Sequence, residues 1–447
     1  MNSIDDIAPR LTGSKEGTFR YETIRTRWPT ILTRVIDHFS TGIEKFTTRY
    51  GEDAEKSVKQ ILSALSEIHY LMVTDKPLRL LTDNFEDVNV WNEHLSSLRL
   101  NKELVNSTWY KEPWLFVECY LYRLIFSFVF QSQVMEAHDY FFHQKIASFH
   151  THTDQIILGV EDLNKFVALG QNEQSITSSL TSLLKICLWG NRADLSLSGG
   201  IASLFNESSK DLDARDKYIL INHIPDAINY LKSIKPKVGD ALSRIDIILD
   251  NSGVELAGDL TLADYLVTAG LVDKVVFHGK KIPWFVSDTT PDDFQWTIKA
   301  IAELKGSDGA VREDCQRFSR SITERLEQGI YEFKCEGFWT LPFPYTEMAT
   351  RAPELYADLS ESSLVILKGD LNYRKLVEDR DWTYETPMMN AVGNFLISPL
   401  LVLRTLKSET VVGLDRTVVD HVLSRYGDDY QWMTTGTYAV AHFHVSK

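Results

Sequence analysis

Residues 244–256 read RIDIILDNSGVEL, and the interpretation of the second half of the chain depends on them. The apolar run at 245–249 predicts a buried strand. The residues DNSG that follow at 250–253 are typical of a turn and of a helix N-cap. In open α/β sheets, however, ligands bind beyond the carboxyl ends of the strands, which is where Asp250 and Asn251 would lie. On this stretch alone, both interpretations stay open.

Further short apolar runs predict more strands after residue 243. The expected strands lie at 275–278, 284–286, 364–367 and 400–403, and helix-like segments lie between them at 260–271, 292–304 and 373–378. Apolar strands that alternate with helices indicate a mainly parallel sheet with helices on both faces. The sequence therefore predicts an α/β fold, a three-layer α/β/α sandwich, over residues 181–447.

The pattern before residue 180 is helical. Apolar residues recur at the 3.6-residue spacing of an amphipathic helix from Ile31 to Phe46, and again within 58–72, 115–149 and 176–188. We therefore predict a helical N-terminal domain over residues 1–180.

Composition limits the class of protein and its surroundings. The 447 residues carry a formal net charge of -15, which disfavours binding to nucleic acid. Four widely spaced cysteines without a CxxC pair suit a reducing compartment. The most apolar run, 115–130, is shorter than a bilayer span and includes Glu118 and Arg123, so it predicts a core helix. No apolar secretory segment is visible at the N-terminus. We expect a cytoplasmic protein, with the nucleus as a second location, no membrane or nucleic-acid partner, and an open oligomeric state.

The predicted strands end in residues that suit a divalent metal. Asp250 and Asn251 follow the strand at 245–249, and Asp288 follows the run at 284–286. Carboxylate and amide oxygens are the ligands that Mg²⁺ and Mn²⁺ prefer. A metal of this kind polarises a phosphoryl oxygen and lowers the pKa of a bound water. Glu255, one helical turn past Asp250, can hold that water or a substrate hydroxyl.

Two other strand ends are suited to an anionic group. Lys368 follows the strand at 364–367, and Arg404 and Lys407 follow the strand at 400–403. Guanidinium and ammonium groups both bind phosphate oxygens. Asn372 and the backbone N–H groups of 370–374 add neutral donors. These strand ends predict metal-assisted phosphoester hydrolysis, with solvated surface residues as the alternative for Lys368 and Arg404.

Three other features fit ordinary structural roles better than a site. A Rossmann cofactor loop needs closely spaced glycines, and here only Gly253 and Gly258 occur. The residues His138, His143, His150 and His152 include no i, i+4 pair and favour a packed or solvated helix over a metal site. In the segment 185–200, Asn191 and Asp194 are suited to capping a helix, and Trp189 is suited to anchoring the segment in the core. The alternative is that this segment supports the residues of the cleft.

Several motifs resemble one known family. They are PWLFVECYLYR at 113–123, LWGNRADLS at 188–196, LDNSGVE at 249–255, PWFVSD at 283–288, KGDLNYR at 368–374 and RTLK at 404–407. Together they resemble the damage-control phosphatase family, also called domain of unknown function 89. The Arg-Thr-x-Lys stretch at 404–407 is similar to the signature of its sugar-phosphate subfamily III.

The resemblance implies a fold, a cofactor and a substrate class. It implies a helical N-terminal region, an α/β/α sandwich, and Mn²⁺, Ni²⁺, Co²⁺ or Mg²⁺ held by Asp250, Asn251 and Asp288, with Glu255 as a further catalytic residue. The implied substrates are small phosphorylated metabolites such as fructose 1-phosphate and fructose 6-phosphate, cleared in metabolite damage control. The implied substrate contacts are Asp250, Asn251, Glu255, Asp288, Asp370, Leu371, Asn372, Tyr373, Arg374 and Lys407. Arg404 is a further expected contact, because it follows the predicted strand at 400–403.

Two further functions stay as alternatives. Relatives of the family are also described as S-adenosylmethionine-dependent methyltransferases acting on protein glutamate, which the missing glycine-rich loop disfavours. A non-catalytic scaffold would account for the large helical region. Within the phosphatase hypothesis, Ser252 stands where aspartate-nucleophile phosphatases often carry a second Asp, and this favours attack by water over an intermediate on Asp250.

Overall fold

The structure is a computed structural model that describes residues 7–100, 107–191, 214–234, 242–306, 308–395 and 397–445. Its strands are β1 (Ile219–Asn222), β2 (Arg244–Ile248), β3 (Lys274–His278), β4 (Tyr331–Lys334), β5 (Leu364–Lys368), β6 (Leu400–Thr405) and β7 (Ala439–His444). Its α-helices in the first half are Phe19–Glu22, Trp28–Thr41, Ile43–Tyr50, Asp53–Val73, Val88–Leu100, Trp114–Phe130, Phe142–Thr151, Thr153–Ala168 and Glu173–Gly190. The later α-helices are Ile224–Ser233, Val254–Thr268, Pro291–Ala302, Glu313–Glu327, Met348–Arg351, Pro353–Ser360, Gly369–Leu376, Met388–Ala391, Arg416–Tyr426 and Gln431–Thr434. A π-helical turn spans Thr23–Arg27, and 3₁₀ turns span Asp216–Tyr218, Gly337–Thr340 and Tyr345–Glu347.

The described strands form one sheet in the order β1-β7-β6-β5-β2-β3-β4. The neighbours β6–β5, β5–β2, β2–β3 and β3–β4 are parallel, and so are β1 and β7. The pair β6–β7 is antiparallel. The sheet is therefore mainly parallel, as predicted, and the carboxyl ends of β2, β3, β5 and β6 lie at one edge.

The sheet carries a separate apolar core on each face. Along β5, Val365 and Leu367 belong to one core, and Leu364 and Ile366 belong to the other, because successive side chains of a strand point to opposite faces. The first core also contains Trp28, Leu65 and other residues of the helices before residue 142. The second contains residues of the helices between 142 and 327. Helices therefore cover both faces, which confirms the α/β/α fold.

The helices of the first 190 residues divide between these two layers. The earlier helices pack with the first core, whereas Thr153–Ala168 and Glu173–Gly190 pack on Val254–Thr268 in the second. The boundary expected between residues 180 and 181 falls within the helix Glu173–Gly190. The division into domains at 1–180 and 181–447 stays a prediction.

The predicted strands at 245–249, 275–278, 364–367 and 400–403 are confirmed within one or two residues. The strand expected at 284–286 is wrong. Phe285 and Val286 adopt φ values of +42° and +71°, in the left-handed region that a strand never enters. Their side chains are buried, and so is Trp284, so the apolar run reflects the packing of a turn into the core.

The apolar run at 115–130 forms the core helix Trp114–Phe130, as predicted. Its two charged residues are buried in ion pairs. Glu118 accepts from Arg374 at 2.6 Å, and Arg123 donates to Asp83 at 2.8 Å. Among the described residues, none of the helices has both the length and the apolar character that a membrane crossing needs.

Candidate active site

A short antiparallel pairing brings Asp288 to the end of β2. Asn251 and Asp288 form an isolated bridge, and the Thr289 N–H donates to the Asp250 carbonyl at 2.9 Å. The Ser252 N–H donates to the Ser287 carbonyl at 2.8 Å. The left-handed turn before Ser287 reverses the chain so that this pairing can form. The structure thus places Asp250, Asn251 and Asp288 side by side and buried, as the sequence predicted, although the preceding segment is a turn.

Asn251 links Asp250 and Glu255, two carboxylates of the site. Its Nδ2 donates to Oδ2 of Asp250 at 2.9 Å and to Oε2 of Glu255 at 2.8 Å. Its Oδ1 accepts from the Ser287 hydroxyl at 2.5 Å. Glu255 reaches this position because Gly253, with φ of +74°, turns the chain into the helix Val254–Thr268. The DNSG stretch is therefore both a turn and part of the candidate site.

Gly369 allows β5 to approach Asp250. A Cβ atom built on Gly369 would lie 2.0 Å from Oδ2 of Asp250, far inside contact distance. The φ of Gly369 is +85°, which favours glycine on its own. The helix Gly369–Leu376 therefore begins directly against the carboxylate of Asp250.

Lys280 and Tyr345 also belong to the site, and neither was predicted from the sequence. Nζ of Lys280 lies 3.1 Å from Oδ2 of Asp288 and donates to the Leu249 carbonyl at 2.8 Å. Burial raises the pKa of Tyr345 well above its ordinary value, and the nearby charges of Asp250 and Asp288 add to this rise. Lys280 follows the predicted strand at 275–278, so the strand-end rule applied there would have found it. Tyr345 lies outside any predicted strand or helix, and no pattern marks it.

Asn191 ties the end of a helix to this group of carboxylates. Its Nδ2 donates to Oδ2 of Asp250 at 2.6 Å and to Oε2 of Glu255 at 3.1 Å. Its Oδ1 accepts from the Thr405 hydroxyl at 2.8 Å. Asn191 occupies the C-cap position of Glu173–Gly190, but its side chain bonds to the site, which is the supporting role given as the alternative. Residues 192–196 of the same motif, with Asp194, lie outside the described residues.

Asp370 organises the segment that carries Arg404 and Lys407. Its Oδ1 accepts from Nε of Arg404 at 2.7 Å, from the Lys407 N–H at 3.1 Å and from the Ser408 hydroxyl at 3.1 Å. Arg404 also donates to the Thr410 carbonyl at 2.7 Å. The Nζ atom of Lys407 donates to the backbone carbonyl of Asn191. Lys407, from the predicted cationic strand end, thus contacts Asn191, which also contacts Asp250.

Lys368 is used inside the protein. Its Nζ lies 2.9 Å from carboxylate oxygens of both Glu255 and Asp259 and donates to the Cys187 carbonyl at 2.7 Å. Burial opposes the charge on Lys368, but Asp259 and Glu255 outweigh burial and raise its pKa. Burial also raises the pKa of Asp259 to about 6, against the opposing charge of Lys368. Lys368 therefore positions Glu255, which is a different role from the phosphate contact considered for it.

The remaining predicted contacts lie on the helix Gly369–Leu376. Asn372 donates to the Lys368 carbonyl at 2.7 Å and accepts from the Tyr345 hydroxyl at 2.5 Å, which sets it beside the carboxylates. The Tyr373 ring lies 4.0 Å beneath the Arg404 guanidinium, and Leu371 is buried. The Arg374 side chain is placed elsewhere, in the ion pairs with Glu118 and Asp379. The Arg374 side chain therefore lies outside the candidate site, and Leu371 belongs to the first apolar core.

The donor set fits a hard divalent cation. Asp250, Asn251 and Asp288 offer two carboxylates and one amide oxygen, all buried, at the carboxyl edge of the sheet. The backbone pairing of residues 250–252 with residues 287–289 holds the three side chains next to one another. Nitrogen and sulfur ligands, which softer metals favour, are not part of this predicted set. These residues can therefore hold Mg²⁺ or Mn²⁺ with positions left for water and substrate.

The histidines at 138 and 143 lie in a separate group. Nε2 of His38 lies 2.9 Å from Nε2 of His138, and the His38 ring stacks on His143 with 4.5 Å between ring centroids. Burial lowers the pKa of His38 to about 3 and that of His138 to about 4. These two rings are thus neutral at pH 7, and the group packs like aromatic side chains, as the sequence analysis favoured.

Comparison with known proteins identifies a matching family model and several relatives. A family model described as the damage-control phosphatase ARMT1-like domain matches residues 23–422. The chain is 39% identical to the damage-control phosphatase ARMT1 of Xenopus laevis, with 98% of each chain covered. It is 38% identical to the Mus musculus protein of the same name, over 97% of this chain and 98% of that one, and 37% identical to the Homo sapiens protein, over 98% of each.

A solved structure with partial likeness is a DUF89 family protein from Pyrococcus horikoshii. It is 14% identical, has a TM-score of 0.37, and the match covers 77% of this chain and 88% of that chain. A likeness at this level carries no argument about function. The family model and the relatives of similar length show that this chain belongs to the damage-control phosphatase ARMT1-like family.

Proposed function

We propose that this protein is a divalent-metal-dependent phosphatase that hydrolyses small sugar phosphates, with fructose 1-phosphate and fructose 6-phosphate as the first substrates to test. The name that its relatives share, damage-control phosphatase, supports the reaction class. The observation that carries the proposal is the double contact of Asn191. Its side chain donates to Asp250, and its backbone carbonyl accepts from Nζ of Lys407. An oxygen-donor group for a cation and an ammonium group for an anion thus meet at one residue.

The metal would supply Lewis-acid chemistry at Asp250, Asn251 and Asp288. The rest of the work falls to the chain itself. Arg404 is held against Asp370, Ser408 and Thr410, which fixes the segment from which Lys407 extends. A prearranged cation of this kind binds a phosphoryl group without having to reorganise first.

Glu255 is the residue suited to orient a water molecule or a sugar hydroxyl. It is fully buried, and Asn251 and Lys368 hold its two oxygens at 2.8 Å and 2.9 Å. A carboxylate fixed at both oxygens has one geometry and can accept a further hydrogen bond from a water or hydroxyl group bound next to it. Ser252, two positions after Asp250, supports attack by water rather than a phospho-aspartyl intermediate.

The proposal is tested with protein stripped of metal by a chelator and then given Mn²⁺, Mg²⁺, Co²⁺ or Ni²⁺ in turn. Phosphate release from fructose 1-phosphate and fructose 6-phosphate is expected to return with a divalent ion in the unaltered chain. It is expected to be lost in Asp250→Asn, which keeps the shape of the side chain but removes its charge. The matched control is Asp428→Asn, because Asp428 is exposed in a surface turn.

Two outcomes would overturn the proposal. One is full hydrolysis by Asp250→Asn, and the other is no phosphate release with any of the ions and either sugar phosphate. Transfer of a labelled methyl group from S-adenosylmethionine to a protein glutamate, unchanged in Asp250→Asn, would favour the methyltransferase instead. The stereochemical course at phosphorus, measured with a substrate whose phosphate is chiral, distinguishes the two routes. One direct attack by water inverts the configuration, whereas two successive displacements through Asp250 retain it.

A further inference from the structure

Three histidines lie together at the opposite edge of the sheet from the candidate active site. His223 directly follows β1, and His442 and His444 are alternate residues of β7. One ring nitrogen from each of the three lies within 4.8 Å of the other two. None of the three belongs to the phosphatase site or to any motif quoted from the sequence.

The sheet register explains why these residues meet. β1 and β7 run parallel with Asn222 opposite Ala441, and the His223 N–H donates to the Ala441 carbonyl at 2.9 Å. His442 and His444 are two residues apart, so they point to the same face of β7. β7 runs antiparallel to β6 with His444 opposite Leu400, the first residue of β6. Arg404 lies near the carboxyl end of β6 and Lys407 follows it, so His444 lies at the other end of this strand.

Two ring nitrogens of the group lack a hydrogen-bond partner among the described residues. His442 is 1% exposed, and its Nε2 is buried without a partner, as is Nε2 of His444. A buried polar atom without a partner costs free energy, which makes such an atom unusual in a native core. Burial and the neighbouring imidazoles lower the pKa of His442 well below its ordinary value and lower that of His444 as well. Both rings are therefore neutral at pH 7, which is the form that binds metals.

We propose that His223, His442 and His444 form a second metal site, which binds a transition metal of the Zn²⁺, Co²⁺ and Ni²⁺ class. Imidazole nitrogen suits these ions, whereas Mg²⁺ prefers oxygen. Tetrahedral zinc holds its nitrogen ligands about 3.3 Å apart, so side-chain rotation has to close a separation of at most 4.8 Å by about 1.5 Å. His223 and His444 are only partly buried, which leaves a fourth position for water.

Metal binding would change one existing contact. Nδ1 of His223 accepts a hydrogen bond of 3.2 Å from the Phe443 N–H. Coordination through Nδ1 uses the lone pair that accepts this bond, and coordination through Nε2 places a proton on Nδ1. In either case the Phe443 N–H loses its hydrogen-bond partner. Metal binding would therefore replace one long hydrogen bond by three coordinate bonds.

A metal at this site would link the edge strand β1 to β7, which lies inside the sheet. β1 is the edge strand, spans only four residues and leads into the helix Ile224–Ser233. β7 lies between β1 and β6. A metal held by His223 from the edge and by His442 and His444 from β7 would therefore resist separation of β1 from the sheet, and it should raise the thermal unfolding temperature.

The test uses the full chain purified without a histidine tag, stripped of metal and titrated with Zn²⁺ against a chelator of known zinc affinity. The variants are His444→Gln and His223→Gln, at two partly buried positions. The control is His421→Gln, on the exposed face of the helix Arg416–Tyr426. We expect the unaltered chain and His421→Gln to bind one more equivalent of tight Zn²⁺ than either site variant. The zinc-dependent rise in unfolding temperature should be present in the first two and absent in the site variants.

A second measurement needs no variant. Co²⁺ bound to the unaltered chain should show the intense visible absorption of tetrahedral nitrogen coordination in addition to the weak absorption of an octahedral oxygen site. Equal zinc affinity and stoichiometry in all four proteins, or Co²⁺ absorption of the octahedral oxygen type alone, would overturn the proposal. Because sugar-phosphate hydrolysis is not the readout, failure here is distinguishable from failure of the proposed phosphatase function.

Discussion

Nδ2 of Asn191 donates a hydrogen bond of 2.6 Å to Oδ2 of Asp250, although 59 residues separate the two in the chain. The same Nδ2 lies 3.1 Å from Oε2 of Glu255, so one amide bridges two carboxylates. The oxygens of Asn191 accept from Thr405 and Lys407. Asn191 therefore links two carboxylates of the candidate site to the segment that carries Lys407.

We expect Asn191→Asp to lower kcat/KM for fructose 1-phosphate by about 10- to 100-fold, the range found when residues that orient metal ligands are changed. The new carboxylate keeps the shape of the side chain but replaces a donor by a charge facing Asp250 and Glu255. The loss of buried hydrogen bonds should also lower the free energy of unfolding by about 1–3 kcal/mol. Steady-state kinetics and denaturant unfolding measure the two effects.

The control for this prediction is Asn390→Asp, at an exposed position in a short helix. It introduces the same charge at the surface and should leave both quantities unchanged. A kcat/KM in Asn191→Asp equal to that of the unaltered chain would show that the orientation of Asp250 does not matter for the reaction.

We expect Gly369→Ala to abolish measurable hydrolysis. The new methyl group would lie 2.0 Å from Oδ2 of Asp250, so the carboxylate or the start of the helix Gly369–Leu376 has to move. Alanine at a positive φ also costs about 1–2 kcal/mol in backbone energy. Phosphate release and the unfolding free energy are measured in parallel.

Gly427→Ala separates the steric effect from the backbone effect. Gly427 has a φ of +56°, and nothing lies within 4 Å of the position where its Cβ would be. This variant should lose stability through the backbone while keeping its activity. If Gly369→Ala and Gly427→Ala retained similar activity, the close approach of Gly369 to Asp250 would have no functional role.

We expect Arg404→Lys to raise the KM for sugar phosphates, and the inhibition constant for inorganic phosphate, by about 10-fold. The segment that carries Lys407 would lose charge-assisted hydrogen bonds of about 1.5–3 kcal/mol each, so Lys407 would no longer be held in place. Lysine keeps the charge but cannot contact Asp370, Ser408 and Thr410 at once, as the guanidinium does. Arg416→Lys, at an exposed helix position, is the matched control. Unchanged values in Arg404→Lys would remove this residue from the proposed phosphate site.

His278 makes the stability of the protein depend on pH. Burial alone would lower its pKa, but hydrogen bonds to Asp246 at 2.8 Å and Glu336 at 3.2 Å outweigh burial, and the pKa is raised. The unfolded chain has a histidine pKa of about 6.5. Because the folded pKa is the higher one, this stabilising contribution is fully present below about pH 6.5 and is lost as the pH rises through the folded value.

Unfolding measured between about pH 5.5 and 9, a range that brackets the histidine pKa, should therefore show the largest difference between the unaltered chain and His278→Gln at the acidic end. The difference should shrink as the pH rises. The matched control is His421→Gln, at an exposed position. A difference for His278→Gln that stays constant over this range would contradict the raised pKa.

The central strands and the proposed metal ligands could be predicted because the local pattern carries the physical signal. β2, β3, β5 and β6 are interior strands, so helices cover both of their faces and they read as continuous apolar runs. The edge strand β4 lacks this pattern, and the edge strand β1 shows it only over residues 219–221. β4 reads YEFK with partly exposed side chains, and β1 has only four residues. β7 lies inside the sheet, but four of its six residues are alanine or histidine, which do not signal a strand.

The fold class, the positions of the main strands and the residue types at the carboxyl edge of the sheet follow from the sequence alone, because apolar periodicity and strand-end chemistry are local properties. The folded chain was needed to show that 284–286 is a buried turn, that Lys368 positions Glu255, and that Arg374 belongs to an ion pair with Glu118. It was needed also for the contact of Asn191 with Asp250 and for the meeting of His223 with His442 and His444. An apolar residue indicates burial but not its backbone conformation, and a polar residue does not indicate its hydrogen-bond partner. The backbone conformation and the partner both depend on chain segments that are distant in sequence.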